Sequence, residues 1–252
     1  MNSMRDKVAR IRSAVVKIVS LEAPPVAGQA RVGLGSGFLV SADGHIVTNS
    51  HVVRSDDPSL TQVIFPRGRP ITCSGFVMRD LVRDYTILKI ADSTFPFLTL
   101  GSYDDVEEGD PIMFCGYPLE EDPYSAFPTT HMGYISSKLP AMVDGNQLNI
   151  CKLDGSVNNG NSGGPLLSQE TEKVVGIITQ KVGGIDNKMK EFVEVFRSAP
   201  SVFTINFGNR SYDPNRTLAE FMDLMAKYSN VGIGIAFSIE YAKAELQRRA
   251  II

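Results

Sequence analysis

Asp154-Gly155-Ser156-Val157-Asn158-Asn159-Gly160-Asn161-Ser162-Gly163-Gly164-Pro165-Leu166 is the stretch on which the reading of the whole chain turns. Glycines on both sides of a single serine let the backbone turn tightly with its amides facing outward, the geometry that exposes a nucleophile beside an oxyanion-binding nest. Taken alone, Gly160 to Gly164 fits the G-x-S-x-G nucleophile elbow of α/β-hydrolases, the serine loop of a second hydrolase class, and a glycine-serine turn without chemistry. A serine is a weak nucleophile at neutral pH and needs a base, normally a histidine that is itself oriented by a carboxylate. The chain has three histidines, His45, His51 and His131, and all precede Ser162. The elbow requires the order serine, acid, histidine, so that class is excluded, and the order histidine, aspartate, serine stays open.

Composition sets the outer limits. The 252 residues suit one large domain or two small ones, and 43% hydrophobic with 21% charged residues is the balance of a water-facing globule with a sizeable core. A net charge of -3 argues against nucleic acid or an anionic membrane as a main partner, since either would need a basic face. Cys73, Cys115 and Cys151 form no C-x-x-C pair and stand in apolar runs, so they read as buried free thiols in a reducing compartment. The basic N-terminus is followed by Ala14-Val15-Val16, broken at Lys17, which is too short for a signal-peptide core, and no run approaches the ~18 apolar residues of a membrane span. These features together predict a cytoplasmic protein.

Twenty-two glycines and fourteen prolines call for many turns. Residues 3 to 12 read as a helical arm. Short strands are predicted at 14–21, 32–41, 45–48, 62–65, 72–78, 85–90 and 97–100, and again at 111–115, 129–136, 147–153, 165–167 and 174–179. Asp43-Gly44 between two apolar runs signals a hairpin. The glycines at 33, 35 and 37 lead into a strand and not a helix, so close backbone packing explains them better than a dinucleotide loop. Two successive sets of about six strands predict a mainly β fold of two packed barrels, divided near the acidic run 104–110: residues 1–105 with the first barrel and 106–252 with the second.

Residues 182 to 230 depart from this pattern. Met189, Phe192, Val193 and Phe196, and then Leu218, Phe221, Met222 and Met225, fall at helical spacing and predict an inserted pair of helices with these stripes as core faces. Asp213-Pro214 offers a cap and first-turn proline for the second helix. A strand at 231–237 and a final helix of about 239–250, capped by Ser238, complete the chain.

Two further segments supply partners for the serine. Thr48-Asn49-Ser50-His51-Val52-Val53 places His51 just after a strand, in a one-turn helix, and Arg83-Asp84-Tyr85-Thr86-Ile87-Leu88 places Asp84 at the mouth of another strand. The three segments resemble the histidine, aspartate and serine motifs of trypsin-like serine proteases. Asp154 to Leu166 with Val231 to Ser238 is similar to the HtrA (Deg) branch, over roughly 32–181 and 230–248.

That resemblance implies a chymotrypsin-like double six-stranded β-barrel and a serine endopeptidase acting on protein or peptide substrates without cofactor or metal. His51 would be the general base, Asp84 its orienter, Ser162 the nucleophile, and the amides of Gly160 and Ser162 the oxyanion hole. Ser156 would lie at the base of the primary pocket with Ile178, Thr179 and Gln180 along its wall. No acid stands there to pair a basic side chain, so small or aliphatic residues are expected before the scissile bond. His45 and His131 have no partner motif and read as structural.

Asn161 replaces the aspartate with which digestive members bind a new N-terminus, so the resemblance implies control by loop rearrangement and assembly, and with it a homo-oligomer. HtrA proteases typically continue into a PDZ domain, whereas this sequence stops at Ile252 after the last helix. The insertion is expected to cover or remodel the substrate cleft. The rival reading is a catalytically silent binding or scaffold protein on the same fold.

Overall fold

Ser3 and Asp6 close a capping box over the first helix, α1 (Met4–Ser13), satisfying two amides that the first turn would otherwise leave unpaired. The structure, a computed structural model, describes residues 3–25, 31–91, 94–118, 127–143, 145–182, 187–201, 203–228 and 232–252. After α1 come β1 (Val15–Leu21), β2 (Val32–Leu39), β3 (His45–Thr48), β4 (Thr61–Ile64), β5 (Pro70–Thr72), β6 (Gly75–Asp80) and β7 (Tyr85–Lys89). They form one antiparallel sheet in the order β5-β4-β1-β2-β3-β7-β6. Residues Val15, Val16 and Ile18 of β1, Phe38 and Leu39 of β2, and Ile87 and Leu88 of β7 are fully buried, so the sheet is covered on both faces.

The second half begins with β8 (Pro111–Gly116), β9 (Thr129–Val143), β10 (Asn146–Asp154), β11 (Pro165–Ser168) and β12 (Val174–Val182). The chain then runs through α2 (Asn187–Ser198), β13 (Ile205–Phe207), β14 (Arg210–Tyr212) and α3 (Pro214–Tyr228) before returning as β15 (Ile233–Ser238) and α4 (Glu240–Arg248). Six of these strands close a barrel, β10-β15-β12-β11-β8-β9. Mainly β, with a closed barrel and a half-barrel sheet, the molecule has the chymotrypsin-like double-barrel architecture.

Apolar clusters organise this body, three of them large. One fills the first sheet around Ile18, Leu39, Ile46 and Leu88. A second fills the barrel around Phe114, Leu153, Leu166 and Ile178. The third joins the halves: Phe38, Val47 and Ile87 of the first pack with Met113, Leu167 and Ile177 of the second, sealed by Ile11 of α1 and by Ile239, Ala242 and Leu246 at α4. Docking of the two sheet systems is therefore a hydrophobic event in its own right.

By contact, Met1–Lys181 with Gly232–Ile252 forms one unit and Val182–Val231 a second. In the second unit α2 lies against α3, and β13 and β14 form a two-stranded hairpin. Val193 and Ala219 are buried there, but Leu218, Phe221 and Met225 are 40%, 55% and 56% exposed. The stripe expected as a core face is thus largely in the open, because an insertion this short cannot cover both sides of its own helices. Leu218 and Phe221, with Ile205, Phe207 and Tyr212, help line a groove of about 650 Å³.

Several sequence expectations are corrected. The first sheet has seven strands, since the predicted run 72–78 is two strands parted at Cys73-Ser74, the first pairing with β4 and the second with β7. Residues 97–100 form no strand: only Leu100 makes a single bridge, to Val174, and the apolar pattern there reflects Leu98 tucking into the joint cluster. The hairpin β13–β14 was not expected, its strands being only three residues long. His51 sits in a hydrogen-bonded turn and not a helical one, with the Val53 amide donating to the Ser50 carbonyl at 3.2 Å. Ile239 is the N-cap of α4, although the Ser238 hydroxyl still accepts from the Glu240 amide at 3.2 Å. Val231 lies outside the described residues.

His45 and His131 are both built into the fold. His45 Nδ1 lies 2.9 Å from Ser41 Oγ and 3.0 Å from Asp43, tying the β2–β3 turn. His131, on β9, stacks on Phe114 with ring centroids 4.9 Å apart and planes inclined by 13°. Its Nε2 is buried with no hydrogen-bond partner among the described residues, and this desolvation lowers its pKa below the usual 6.5. The folded state holds His131 neutral while the unfolded chain protonates it near pH 6.5. Stability is therefore complete above that value and lost as pH falls through the folded pKa. Urea midpoints measured from pH 8 to pH 5 should fall below about pH 6.5, and His131→Leu should flatten that fall; an equal fall in the variant would assign it to other groups.

Candidate active site

The serine loop is held by atoms of the other half of the molecule. Ser36, fully buried in the middle of β2, donates its amide to the Ser162 carbonyl at 2.8 Å and its hydroxyl to the Gly160 carbonyl at 2.7 Å. The same hydroxyl accepts from the Tyr117 amide at 2.8 Å, and the Ser36 carbonyl accepts from Thr48 Oγ1 at 2.6 Å. This close approach is why the neighbouring positions are glycine. A Cβ on Gly35 would lie 2.8 Å from the Ser162 carbonyl, and one on Gly163, which also has φ of 86°, would run into the Ser36 carbonyl.

Inside the loop the hydrogen bonding is nearly complete. Asn161 donates to the Asn158 carbonyl at 3.1 Å, Gly164 to Asn161 at 2.9 Å and Gly163 to Ile178 at 2.7 Å, and Ile178 returns a bond to Gly164 at 2.9 Å. The amides of Gly160 and Ser162 donate to no acceptor among the described residues. These are the two groups for which the family resemblance implies an oxyanion hole. The Asn161 side chain is buried, and neither of its polar atoms has a partner among the described residues.

The structure brings His51 and Asp84 together at the end of the first sheet. His51 Nδ1 lies 2.8 Å from Asp84 Oδ2, and the His51 amide donates to Oδ1 at 3.0 Å. The histidine side chain is half exposed and the carboxylate largely buried, so the imidazole presents its other nitrogen outward while the acid stays behind it. Ser162 Oγ donates to the Thr179 carbonyl at 2.9 Å, and no hydrogen bond joins it to His51 among the described residues. Thr179 Oγ1 in turn donates to Asp84 Oδ2 at 2.7 Å. A single residue of β12 thus touches both the serine and the acid.

The remaining expected pocket residues are placed as follows. Ser156 is exposed after β10, whereas Ile178 is fully buried in the barrel cluster. Gln180 lies in β12, and its side chain is outside the described residues. Burial raises the thiol pKa of Cys115 to about 11 and of Cys151 to about 12, so neither supplies a thiolate near neutrality. Among the described residues no group of three or more His, Cys, Asp or Glu side chains is arranged to hold a metal.

Sequence reasoning missed the supporting residues. Ser36, Asn49 and Ser50 are all buried polar side chains whose partners lie 30 or more residues away, and Thr179 was read only as a pocket wall. The one local hint was two polar residues, Asn49 and Ser50, directly before the histidine in an apolar setting.

The family model for a trypsin-like peptidase domain matches residues 35–177. The chain belongs to this family. Its similarity extends to the mitochondrial serine protease HTRA2 of Bos taurus, 34% identical over 223 residues, covering 84% of this chain and 47% of that protein. A probable periplasmic DegP-like serine endoprotease of Marinomonas is 28% identical over 232 residues, covering 91% of this chain and 46% of the relative. Among solved structures, the HtrA-type protease AlgW with tripeptide superposes with a TM-score of 0.64 at 23% identity, over 98% of this chain and 63% of that one, a likeness of fold. The chain thus spans about half the length of these curated relatives. No helix among the described residues of this trypsin-like peptidase domain is long and apolar enough to cross a membrane.

Removing the Ser36 hydroxyl would strand the Gly160 carbonyl and the Tyr117 amide in a buried place. Ser36→Ala should therefore destabilise the fold by about 1–3 kcal/mol, read from urea unfolding; a loss below about 0.5 kcal/mol would mean that water or a shifted loop replaces it.

Proposed function

We propose that this chain is a serine endopeptidase, hydrolysing peptide bonds through an acyl-enzyme. The observation that carries the reading is the His51–Asp84 pair, with Nδ1 held 2.8 Å from the carboxylate and the rest of the imidazole open to the site. Held this way, the ring keeps its proton on Nδ1 and leaves Nε2 free to accept one. The catalytic sequence follows. Ser162 Oγ leaves the Thr179 carbonyl, gives its proton to His51 Nε2 and attacks the substrate carbonyl carbon. The oxyanion that forms is met by the amides of Gly160 and Ser162, which have no acceptor of their own among the described residues. His51 then returns the proton to the leaving amine, and a water repeats the cycle to release the acid. Asp84 stabilises the imidazolium without itself taking the proton.

Substrates are proteins or peptides, in keeping with the endoprotease names of the relatives, and the assembled form is a homo-oligomer. The three free, buried thiols support a cytoplasmic setting, whereas the relatives are named periplasmic or mitochondrial. Labelling with a fluorophosphonate separates this reading from a silent scaffold. A covalent adduct on Ser162, seen by mass spectrometry, is expected, with Ser162→Ala and His51→Ala each losing about 10⁴-fold or more in turnover. Absence of any adduct, with candidate activating peptides included, would favour the scaffold.

Specificity is proposed for small or aliphatic residues before the scissile bond. Ser156, exposed at the expected pocket base, carries no charge with which to pair a basic side chain. Mass-spectrometric mapping of cleavage in a peptide library should show such residues dominating; cleavage mainly after Arg or Lys would overturn the assignment.

A further inference from the structure

Asp84 holds its carboxylate in place from a backbone conformation that an L-residue adopts at a cost. Its φ is 50°, in the left-handed region, which is unfavourable for a residue with a Cβ. Such a conformation persists only where its surroundings fix it from more than one side. The carboxylate is fixed by the His51 amide and ring and by Thr179 Oγ1. The other side of the same Cα is fixed by Asn49, whose Nδ2 donates to the Asp84 carbonyl at 2.8 Å.

Asn49 is fully buried, and its Oδ1 has no partner among the described residues. Burying a primary amide is unfavourable unless its bonds are made, so the bond to Asp84 is the one return that the described contacts give for placing it there. Its orientation is dictated, since turning the amide over would set Oδ1 against the Asp84 carbonyl oxygen. Ser50 extends the grip: its hydroxyl lies 2.8 Å from the Asp80 carbonyl and 2.7 Å from the Tyr85 carbonyl, bracketing the turn that ends at Asp84. Three consecutive residues, Asn49, Ser50 and His51, therefore each hold a different part of one turn.

We infer that Asn49 is a positioning residue for the proposed hydrolysis, clamping the Asp84 carbonyl so that the left-handed backbone persists and the carboxylate stays aimed at His51. The inference rests on the peptidase reading for its catalytic consequence but not for its geometry. Pinning both carbonyl and carboxylate fixes the torsion between them. With the carbonyl released, Asp84 can relax to a right-handed or extended conformation, which swings the side chain away from the imidazole. An aspartate at position 49 would be worse than an alanine, because it sets a carboxylate against the carbonyl and offers no donor.

The test uses the whole chain with Asn49→Ala, Asn49→Asp and, should alanine not fold, Asn49→Ser. Steady-state assays on a peptide substrate should show kcat lowered by about 10- to 100-fold with KM within about twofold of wild type, Asn49→Asp falling furthest. In a Ser162→Ala background, proton NMR should show the His51 Nδ1–H resonance moving upfield toward its solvent-exposed position in the Asn49 variants. Wild-type kcat with an unmoved resonance, or a lowered melting temperature as the sole change, would overturn the inference. If the wild-type chain hydrolyses nothing while the resonance still moves, the peptidase reading fails and the clamp stands; if it hydrolyses normally and the resonance does not move, the reverse holds.

Discussion

Ser36 is where the two halves of the molecule become one site. Its amide, hydroxyl and carbonyl connect Ser162, Gly160, Tyr117 and Thr48, which places the serine loop of the second half against the strand that leads to His51 in the first. Hydrogen bonds of this kind are individually modest, but they are directional in a way that the joint apolar cluster is not. The cluster of Phe38, Val47, Met113 and Ile177 drives the halves together. The bonds at Ser36 fix the register in which they meet, and that register sets the Ser162 loop against β2 and the end of β3.

The same division of labour recurs at the acid. Asp84 belongs to the first half, yet one of its oxygens is held by Thr179 of the barrel, whose carbonyl also receives the Ser162 hydroxyl. An error in docking would therefore disturb Asp84, His51 and Ser162 together. An arrangement built this way is sensitive to small displacements.

The parts of this arrangement that could be read from the sequence are those with few alternatives. Three histidines, all before Ser162, left one chain order, and the glycines beside the serine are demanded by close backbone contacts that no other residue allows. Strands with clear alternation and turn signals, such as His45–Thr48 and Pro111–Gly116, fell where the pattern put them. The supporting layer could not be read, because Ser36, Asn49 and Thr179 are common residue types whose meaning depends on partners far along the chain. Residues 97–100 misled for the opposite reason: alternation records which side chain is buried, and a single buried leucine in a connecting segment imitates a strand. The three-residue strands of the insertion carry too little pattern to register.

The position of that insertion has a consequence for how such a chain can change over time. It leaves the barrel at the end of β12 and re-enters at β15, and these two strands are direct neighbours in the closed barrel. For the barrel the whole segment is an enlarged hairpin loop, since its two ends are pinned side by side whatever lies between them. Loop-closure entropy grows only logarithmically with length, so exchanging one insert for another of different size alters barrel stability little. The strand junction therefore behaves as a graft point, at which new surface can be acquired or discarded while the pairing that carries Ser162 and Thr179 is left in register.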